Sequence, residues 1–294
     1  MNRNILITGA RGNIGRELME SLKLLNIKFT AGVSNPAQAR DLTESGINVK
    51  LVDYSRPETL ENAFRGVEEL FLLLPFREEM QSWGIEAVRI ARKMGVDYVL
   101  RASALGARTD SGRPHQLIHG SIDAALEKSG MEYTIMRPNV FMQNYVLFLG
   151  KMIRENRALY LPQGEGRISV IDVADIGRAA AEILANPEPY IDGHYDLTGP
   201  KALSNHDIAA IISSVAGETI TYYPIDEAKA TESMRGMGMS DWTIDFMLGL
   251  SRFIREGGSS RVTGAVEDIT GVRANTFKNY ARECKDCWKA VAMR

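Results

Sequence analysis

Three glycines inside a short stretch constrain this chain more than any other feature. From Asn4 to Leu18 it reads NILITGARGNIGREL: a brief apolar run, then Gly9, Gly12 and Gly15 spaced G-x-x-G-x-x-G, then a helical pattern. A glycine in the first slot lets the backbone turn without a Cβ clash. A second lets a pyrophosphate approach the main chain, and a third lets the helix pack closely on the strand. The helix N-terminus, with Asn13 and Ile14 in its first turn, presents N–H groups to such an anion. The triplet opens the first strand–helix unit, which is where a dinucleotide fingerprint belongs.

The rest of the first half repeats that unit. Strand-like runs fall at Ile5–Thr8, Lys28–Val33, Asn48–Val52, Glu69–Leu74, Tyr98–Ala102 and Tyr133–Arg137. Between them, Arg16–Leu25, Pro57–Phe64, Met80–Met94 and Ser121–Ser129 carry helical spacing. Alternation of this kind predicts an α/β fold, a Rossmann-like doubly wound parallel sheet. After Asn144 the order loosens. A helix over Tyr145–Arg154, a Gly-rich turn at PQGEGR, a helix over Asp172–Leu184 and a strand at His194–Leu197 precede a helix-dominated, Met-rich tail. The expected organisation is a dinucleotide-binding domain over 1–150, with 170–200 returning to it, and a smaller, mainly helical substrate-binding region from 151–169 and 201–294.

Composition narrows the functional classes. A net charge of −2 gives no pull towards nucleic acid or anionic membrane, and no apolar run approaches a bilayer span. With a strand-like segment starting so near the N-terminus, no signal peptide is expected, and the protein reads as soluble and cytoplasmic. Cys284 and Cys287 form a lone C-K-D-C without further zinc ligands nearby. They read as two reduced thiols, with redox pairing the alternative.

An NAD fingerprint places an acid about 20 residues beyond the glycines, on the ribose 2′-hydroxyl. The window Thr30–Arg40 holds none, while Arg11 and Arg40 supply cations for a 2′-phosphate. A charged hydrogen bond is worth about 1.5–3 kcal/mol. NADP(H) is therefore favoured over NAD(H).

The chain resembles the NmrA-like atypical short-chain dehydrogenase/reductases through ITGARGNIGREL, LVDYSRPETLENAFRGVEELFLLLP, SALGA, HGSIDAALEKSGMEYTIMRPNVFMQN, ISVIDVADIGRAA and VTGAVEDITGVRANTFKNYARE. The resemblance implies an extended Rossmann domain with a small substrate-binding region. It places Asp53 at the adenine, Leu74 and Pro75 beside the adenosine ribose, and Ser103 near the nicotinamide ribose. Pro138, Asn139 and Phe141 fall close to the nicotinamide. The nearest functional relatives look like quinone, azo-dye and triphenylmethane-dye reductases. Two departures stand out: Ser34 occupies the position where NADP-binding members often carry Arg, and Asp123 replaces the usual Glu four residues after the helix histidine.

No tyrosine has a lysine four residues on, so the Tyr-x-x-x-Lys pair of alcohol-oxidising relatives is absent. In that slot stand His115 and His119, spaced to share a helix face. His119 is the candidate proton donor, with Asp123 one turn on to orient its ring; His115, behind Pro114, reads as a surface residue. A merely structural histidine is the alternative. Met142, Met234, Met237, Met239, Trp242 and Phe246 are candidates to line a pocket for flat apolar substrates, each equally readable as core. Asp172 and Asp175 read as the cap and first turn of a helix. No metal site is expected.

These features predict an NAD(P)H-dependent reductase of small, flat, electron-poor substrates. The alternatives are a non-catalytic NAD(P) redox sensor of the NmrA type and an oxidoreductase of a specialised biosynthetic route. A small molecule is the expected partner, without nucleic acid or membrane, and a homodimer stays open.

Overall fold

The computed structural model describes residues 3–289. One compact unit comprises residues up to Gly112, Gln116–Arg137 and Ile176–Asp196; the other comprises Arg113–His115, Pro138–Asp175 and Leu197 onward. The second unit thus takes in 138–150, 170–175 and 197–200 as well as 151–169 and the described residues 201–289.

The first unit is built on a parallel sheet. Strands β1 (Ile5–Ile7), β2 (Thr30–Val33), β3 (Asn48–Leu51), β4 (Glu69–Leu72), β5 (Tyr98–Ala102) and β6 (Glu132–Pro138) alternate with helices α1 (Asn13–Leu24), α2 (Arg40–Glu44), α3 (Pro57–Phe64), α4 (Met80–Lys93) and α5 (Pro114–Glu127). Two strands of the second unit come next, β7 (Ala158–Leu161) and β8 (Arg167–Ile168), followed by β9 (Gly193–Leu197). The seven-stranded sheet runs in the order β3-β2-β1-β4-β5-β6-β9, and each neighbouring pair from β3 to β6 is parallel. Strand order reverses at β1, so the crevice beyond β1 and β4 is the ligand-binding position of such a sheet. The central strands are apolar on both faces, as helices on both sides require: Leu6, Ile7, Leu70, Phe71, Leu72, Val99 and Leu100 have no exposed surface.

Helix α5 begins at Pro114, the start expected ahead of His115 and His119, and runs on through the periodic stretch at Ser121. Gly120 lies inside this helix. In the fold it is a crossing point, because a Cβ there would stand 2.4 Å from the Arg108 carbonyl carbon. Pro114 at the first helical position suits the start.

The second unit holds α6 (Asn144–Leu147), α7 (Gly150–Asn156), β10 (Leu203–Ser204), α9 (Asn205–Ala216), β11 (Thr221–Pro224), α10 (Glu227–Gly236), α11 (Asp241–Arg255), α12 (Ala265–Thr270) and α13 (Phe277–Glu283). Helix α8 (Val173–Ala185) leads from it back into the first unit. The single helix expected over Tyr145–Arg154 is broken in two before Gly150, a poor helix former. The tail is less purely helical than its composition suggests. Strand β11 pairs in parallel with β7, and β10 pairs antiparallel with β8. The core of this unit gathers Met142, Tyr145, Ile153, Leu159, Ile208, Ile212, Phe277 and Trp288.

Candidate functional site

The three glycines differ in what each would meet. Gly9 has φ +65, a left-handed conformation that L side chains avoid, and a Cβ would stand 2.9 Å from the Leu73 side chain. At Gly15 a Cβ would lie 2.3 Å from the Gly9 carbonyl oxygen, so this residue sets how closely α1 approaches the loop. Gly12 meets only that same oxygen, at 3.2 Å, and is otherwise open. It is the N-cap of α1 and carries no side-chain cap, and no acidic residue stands in the first turn. Its N–H bonds back to the Gly9 carbonyl at 2.9 Å, which fixes the turn. A tight turn, an open face and an uncapped helix N-terminus together fit a pyrophosphate.

Hydrogen bonds fix the floor beside this loop. The Thr8 hydroxyl bonds the carbonyls of Phe71 and Leu73 at 3.0 and 3.1 Å and accepts from the Leu73 N–H at 2.9 Å, tying the ends of β1 and β4. Just beyond, Leu74 is buried and Pro75 exposed. The Tyr54 hydroxyl bonds the Leu73 carbonyl at 3.0 Å, and burial pushes its pKa up to about 12.

The charged candidates are paired. Arg11 Nη1 lies 3.1 Å from Asp41, a carboxylate one residue past the window searched for an acid. Arg40 is bound to Glu44 at 3.0 Å on an exposed helix face. Ser34 stands exposed just past the end of β2. Asp53 accepts from the Ser55 hydroxyl at 2.6 Å, the Ser55 N–H at 3.0 Å and Arg56 Nε at 2.9 Å. Those hydrogen bonds, Ser55 foremost, hold its carboxyl below the usual range. Asp53 thus shapes the entry to α3.

At the end of β5 lies a buried polar cluster. Ser103 donates to Asp123 Oδ2 at 2.8 Å, and Arg137 donates to the same oxygen at 3.2 Å. Arg101 is fully buried, with Nε 4.0 Å from Asp123 Oδ1 and Nη1 on the Ala102 carbonyl. Its Nη2 lies 3.3 Å from His119 Nδ1. Arginine only donates, so Nδ1 accepts and the His119 proton sits on Nε2. The residue that orients the ring at Nδ1 is therefore Arg101, where the sequence pointed to Asp123. Arg101 carries no sequence signal, since a charged residue in a central strand reads as an interruption.

His115 and His119 share a helix but not an environment. His115 is buried against Phe246 and Phe253, with ring centroids 6.0 and 5.4 Å away, and both its ring nitrogens lack hydrogen-bond partners. Burial, reinforced by Arg113, lowers its pKa to about 4. It is a packing residue, and the surface position expected for it is overturned.

In the second unit, Pro138 and Asn139 are buried at the end of β6. The Asn139 amide donates to Ser169 Oγ at 2.8 Å and the Ser259 carbonyl at 2.9 Å, and its Oδ1 accepts from the Val140 N–H at 2.9 Å. Phe141 bridges in parallel to Ile171. Met142 has no exposed surface and lies in the core, so it lines no pocket. Met234 packs against Ala230, Ile244 and Leu248, Met237 and Met239 are exposed, and Trp242 and Phe246 adjoin along α11. Asp172 Oδ1 accepts from the Ala174 N–H at 3.0 Å and Gln143 Nε2 at 2.7 Å, while its Oδ2 takes Asn275 Nδ2 at 2.8 Å. Asp175 accepts from the Asn275 N–H at 2.7 Å. Both are helix-start residues that also anchor the VRANTF segment. Among the described residues no cluster of His, Cys, Asp and Glu is arranged for a metal, and no helix is long and apolar enough to cross a membrane.

Comparison with known proteins places the chain. The NmrA-like family model matches residues 1–251. An NAD(P)H azoreductase of Xenophilus azovorans is 33% identical over 284 residues, covering 95% of this chain and 96% of that one. An NADPH-dependent quinone oxidoreductase from Escherichia coli, solved with NADPH, superposes with a TM-score of 0.86 at 26% identity, covering 95% of this chain and 99% of the other. A triphenylmethane reductase from Citrobacter sp. shares the fold with a TM-score of 0.86 at 21% identity, covering 96% and 99%.

Proposed function

We infer the activity from a premise of kinship: the chain belongs to the NmrA-like family. The protein is an NAD(P)H-dependent reductase that passes hydride to a small, flat, electron-poor acceptor of the quinone or azo-dye class. The observation that carries this reading is the open face of Gly12 at the uncapped start of α1, in a chain aligned almost end to end with an azoreductase.

Gly9, Gly12 and Gly15, with the N–H groups of Asn13 and Ile14, hold the pyrophosphate. Asp53, Leu74 and Pro75 border the adenosine, and Ser103 the second ribose; Pro138, Asn139 and Phe141 border the nicotinamide. Arg11, exchanging Asp41 for a 2′-phosphate, favours NADP(H), with Ser34 and Arg40 beside it. The bound nicotinamide supplies the hydride. His119 acts from the neutral Nε2–H form that Arg101 enforces, as a hydrogen-bond donor to the acceptor oxygen or nitrogen that gains charge. An acceptor that is already electron-poor needs little more than placement. Trp242, Phe246, Met234 and Met237 are the side chains proposed to meet its flat face.

The test is steady-state oxidation of NADPH with a quinone, an azo dye and a cationic triphenylmethane dye. Acceptor-dependent, saturable oxidation supports the reductase. Tight cofactor binding without turnover on any acceptor supports the sensor instead. His119→Ala is expected to lower kcat about 10²-fold with the quinone, whose oxygen gains charge as the hydride arrives, and much less with the cationic dye, whose charge the hydride neutralises.

A further inference from the structure

The Cys284/Cys287 pair lies outside everything described above. Cys284 is the C-cap of α13, and Cys287 lies in the 3-10 turn Lys285–Trp288 that follows. The Cys287 N–H bonds the Cys284 carbonyl at 2.8 Å, closing one tight turn between them. At a 3-10 rise the two Cα atoms stand about 6 Å apart, and side chains so spaced eclipse one another. Disulfides span about 4.4–6.8 Å between Cα atoms, so a turn of this kind holds the two Cα atoms within bridging distance. Both thiols are free and half-buried.

The turn itself is held firmly. Trp288 is fully buried and donates from Nε1 to the Ala281 carbonyl at 2.8 Å. Arg157 donates to the Trp288 carbonyl at 2.9 Å, and Arg154 to that of Cys287 at 3.3 Å. Beside the turn, where α13 packs on α9, a cavity of about 480 Å³ is lined by Ile211 and Val215 on one side and by Lys278, Arg282 and Lys285 on the other. Lys285 is the immediate neighbour of Cys284. Among the described residues, neither Lys278 nor Arg282 has an ion-pair partner.

We propose that Cys284 and Cys287 are a redox-active dithiol, oxidised to an intrachain disulfide by a small anionic disulfide that docks against Lys278, Arg282 and Lys285. The glutathione-type peptide disulfide, with several carboxylates and little bulk, is the ligand class the groove fits. In the proposed order Cys284, whose thiol burial pushes up, resolves the intermediate, and Cys287 attacks first. Its thiolate attacks one sulfur of the incoming disulfide, forms a mixed disulfide and releases one thiolate. Cys284 then gives up its proton and attacks the Cys287 sulfur, closing the Cys284–Cys287 bond and releasing the second thiolate. The two cysteines lose two electrons and two protons; the incoming disulfide gains both and leaves as two thiols.

The test uses the full reduced chain. It is incubated with glutathione disulfide or with neutral hydroxyethyl disulfide, quenched by alkylation and mapped by mass spectrometry. Each rate is divided by that of the same disulfide with dithiothreitol. Expected is loss of both alkylatable thiols, a Cys284–Cys287 cross-linked peptide, and a normalised rate about tenfold higher for the anionic disulfide. That preference collapses in high salt and in Lys278→Glu/Lys285→Glu, which leaves both thiols in place. Cys284→Ser is expected to stop at the mixed disulfide on Cys287. Absence of the cross-link, a mixed disulfide that never closes in the wild type, or equal normalised rates would overturn the proposal.

Discussion

Nη2 of Arg101 lies 3.3 Å from Nδ1 of His119, and both side chains are buried. A guanidinium has no lone pair to offer, so this contact selects one imidazole tautomer. It also places a fixed cation where a carboxylate was expected.

The first prediction follows from that contact. Nitrogen chemical shifts of His119 are expected to report the Nε2–H tautomer in the neutral ring. Arg101→Met leaves Asp123 with one cation fewer and is expected to cost about 3–5 kcal/mol, measured by chemical denaturation. Arg101→Lys is not expected to restore the tautomer, since an ammonium does not reproduce the guanidinium fork. An Nδ1–H tautomer in the wild type would refute this reading.

Gly12 and Gly15 are expected to fail differently. At Gly15 an added Cβ meets the Gly9 carbonyl oxygen at 2.3 Å, so Gly15→Val should lower Tm whether or not cofactor is present. Gly12 has only one neighbour, at 3.2 Å, so Gly12→Val should fold with near-normal Tm and lose cofactor binding in calorimetry. Undiminished binding by Gly12→Val would show that the pyrophosphate lies elsewhere.

The proposed preference for NADPH turns on the Arg11–Asp41 pair, 3.1 Å apart. Arg11→Ala removes one charged phosphate contact and is expected to narrow the NADPH-over-NADH preference about tenfold. Asp41→Asn frees Arg11 and removes a repelling carboxylate, so it should widen the preference. Tighter binding of NADH than of NADPH by the wild type would contradict the assignment.

His115 gives stability a pH dependence whose sign is fixed. Burial lowers its folded pKa from 6.5 to about 4, so the unfolded chain binds the proton more readily. The stabilisation is complete above about pH 6.5 and is lost as pH falls towards about 4, amounting to about 3 kcal/mol over that window. His115→Leu is expected to flatten the denaturation free energy across it, at little cost at neutral pH, because neither ring nitrogen has a partner to lose. An unchanged slope would assign the titration to other groups.

The sheet was legible because its signals are local. The period-two and apolar runs of β1, β4 and β5 and the glycine spacing each sit within a dozen residues, and the parallel order follows from handedness. What stayed hidden depends on contacts far apart in the chain. The pairing of β7 with β11 joins residues 158–161 to 221–224. The candidate site divides in the same way. Gly9, Gly12 and Gly15 were readable from spacing. Arg101 was not, because only the folded chain places it under His119, and Met142 reads identically as pocket or core until its burial is known.

The central claim, that the Gly9–Gly15 loop holds the pyrophosphate of a nicotinamide dinucleotide whose hydride passes directly to an acceptor, is tested most directly with NADPH carrying deuterium at C4. Acceptor-dependent oxidation should show a primary isotope effect when the transferred position is labelled. The label should appear on the carbon of the reduced triphenylmethane dye, and Gly12→Val should abolish both results. Binding of NADPH with no oxidation by any quinone, azo dye or cationic dye, or oxidation that leaves no label in the reduced dye, would contradict the account.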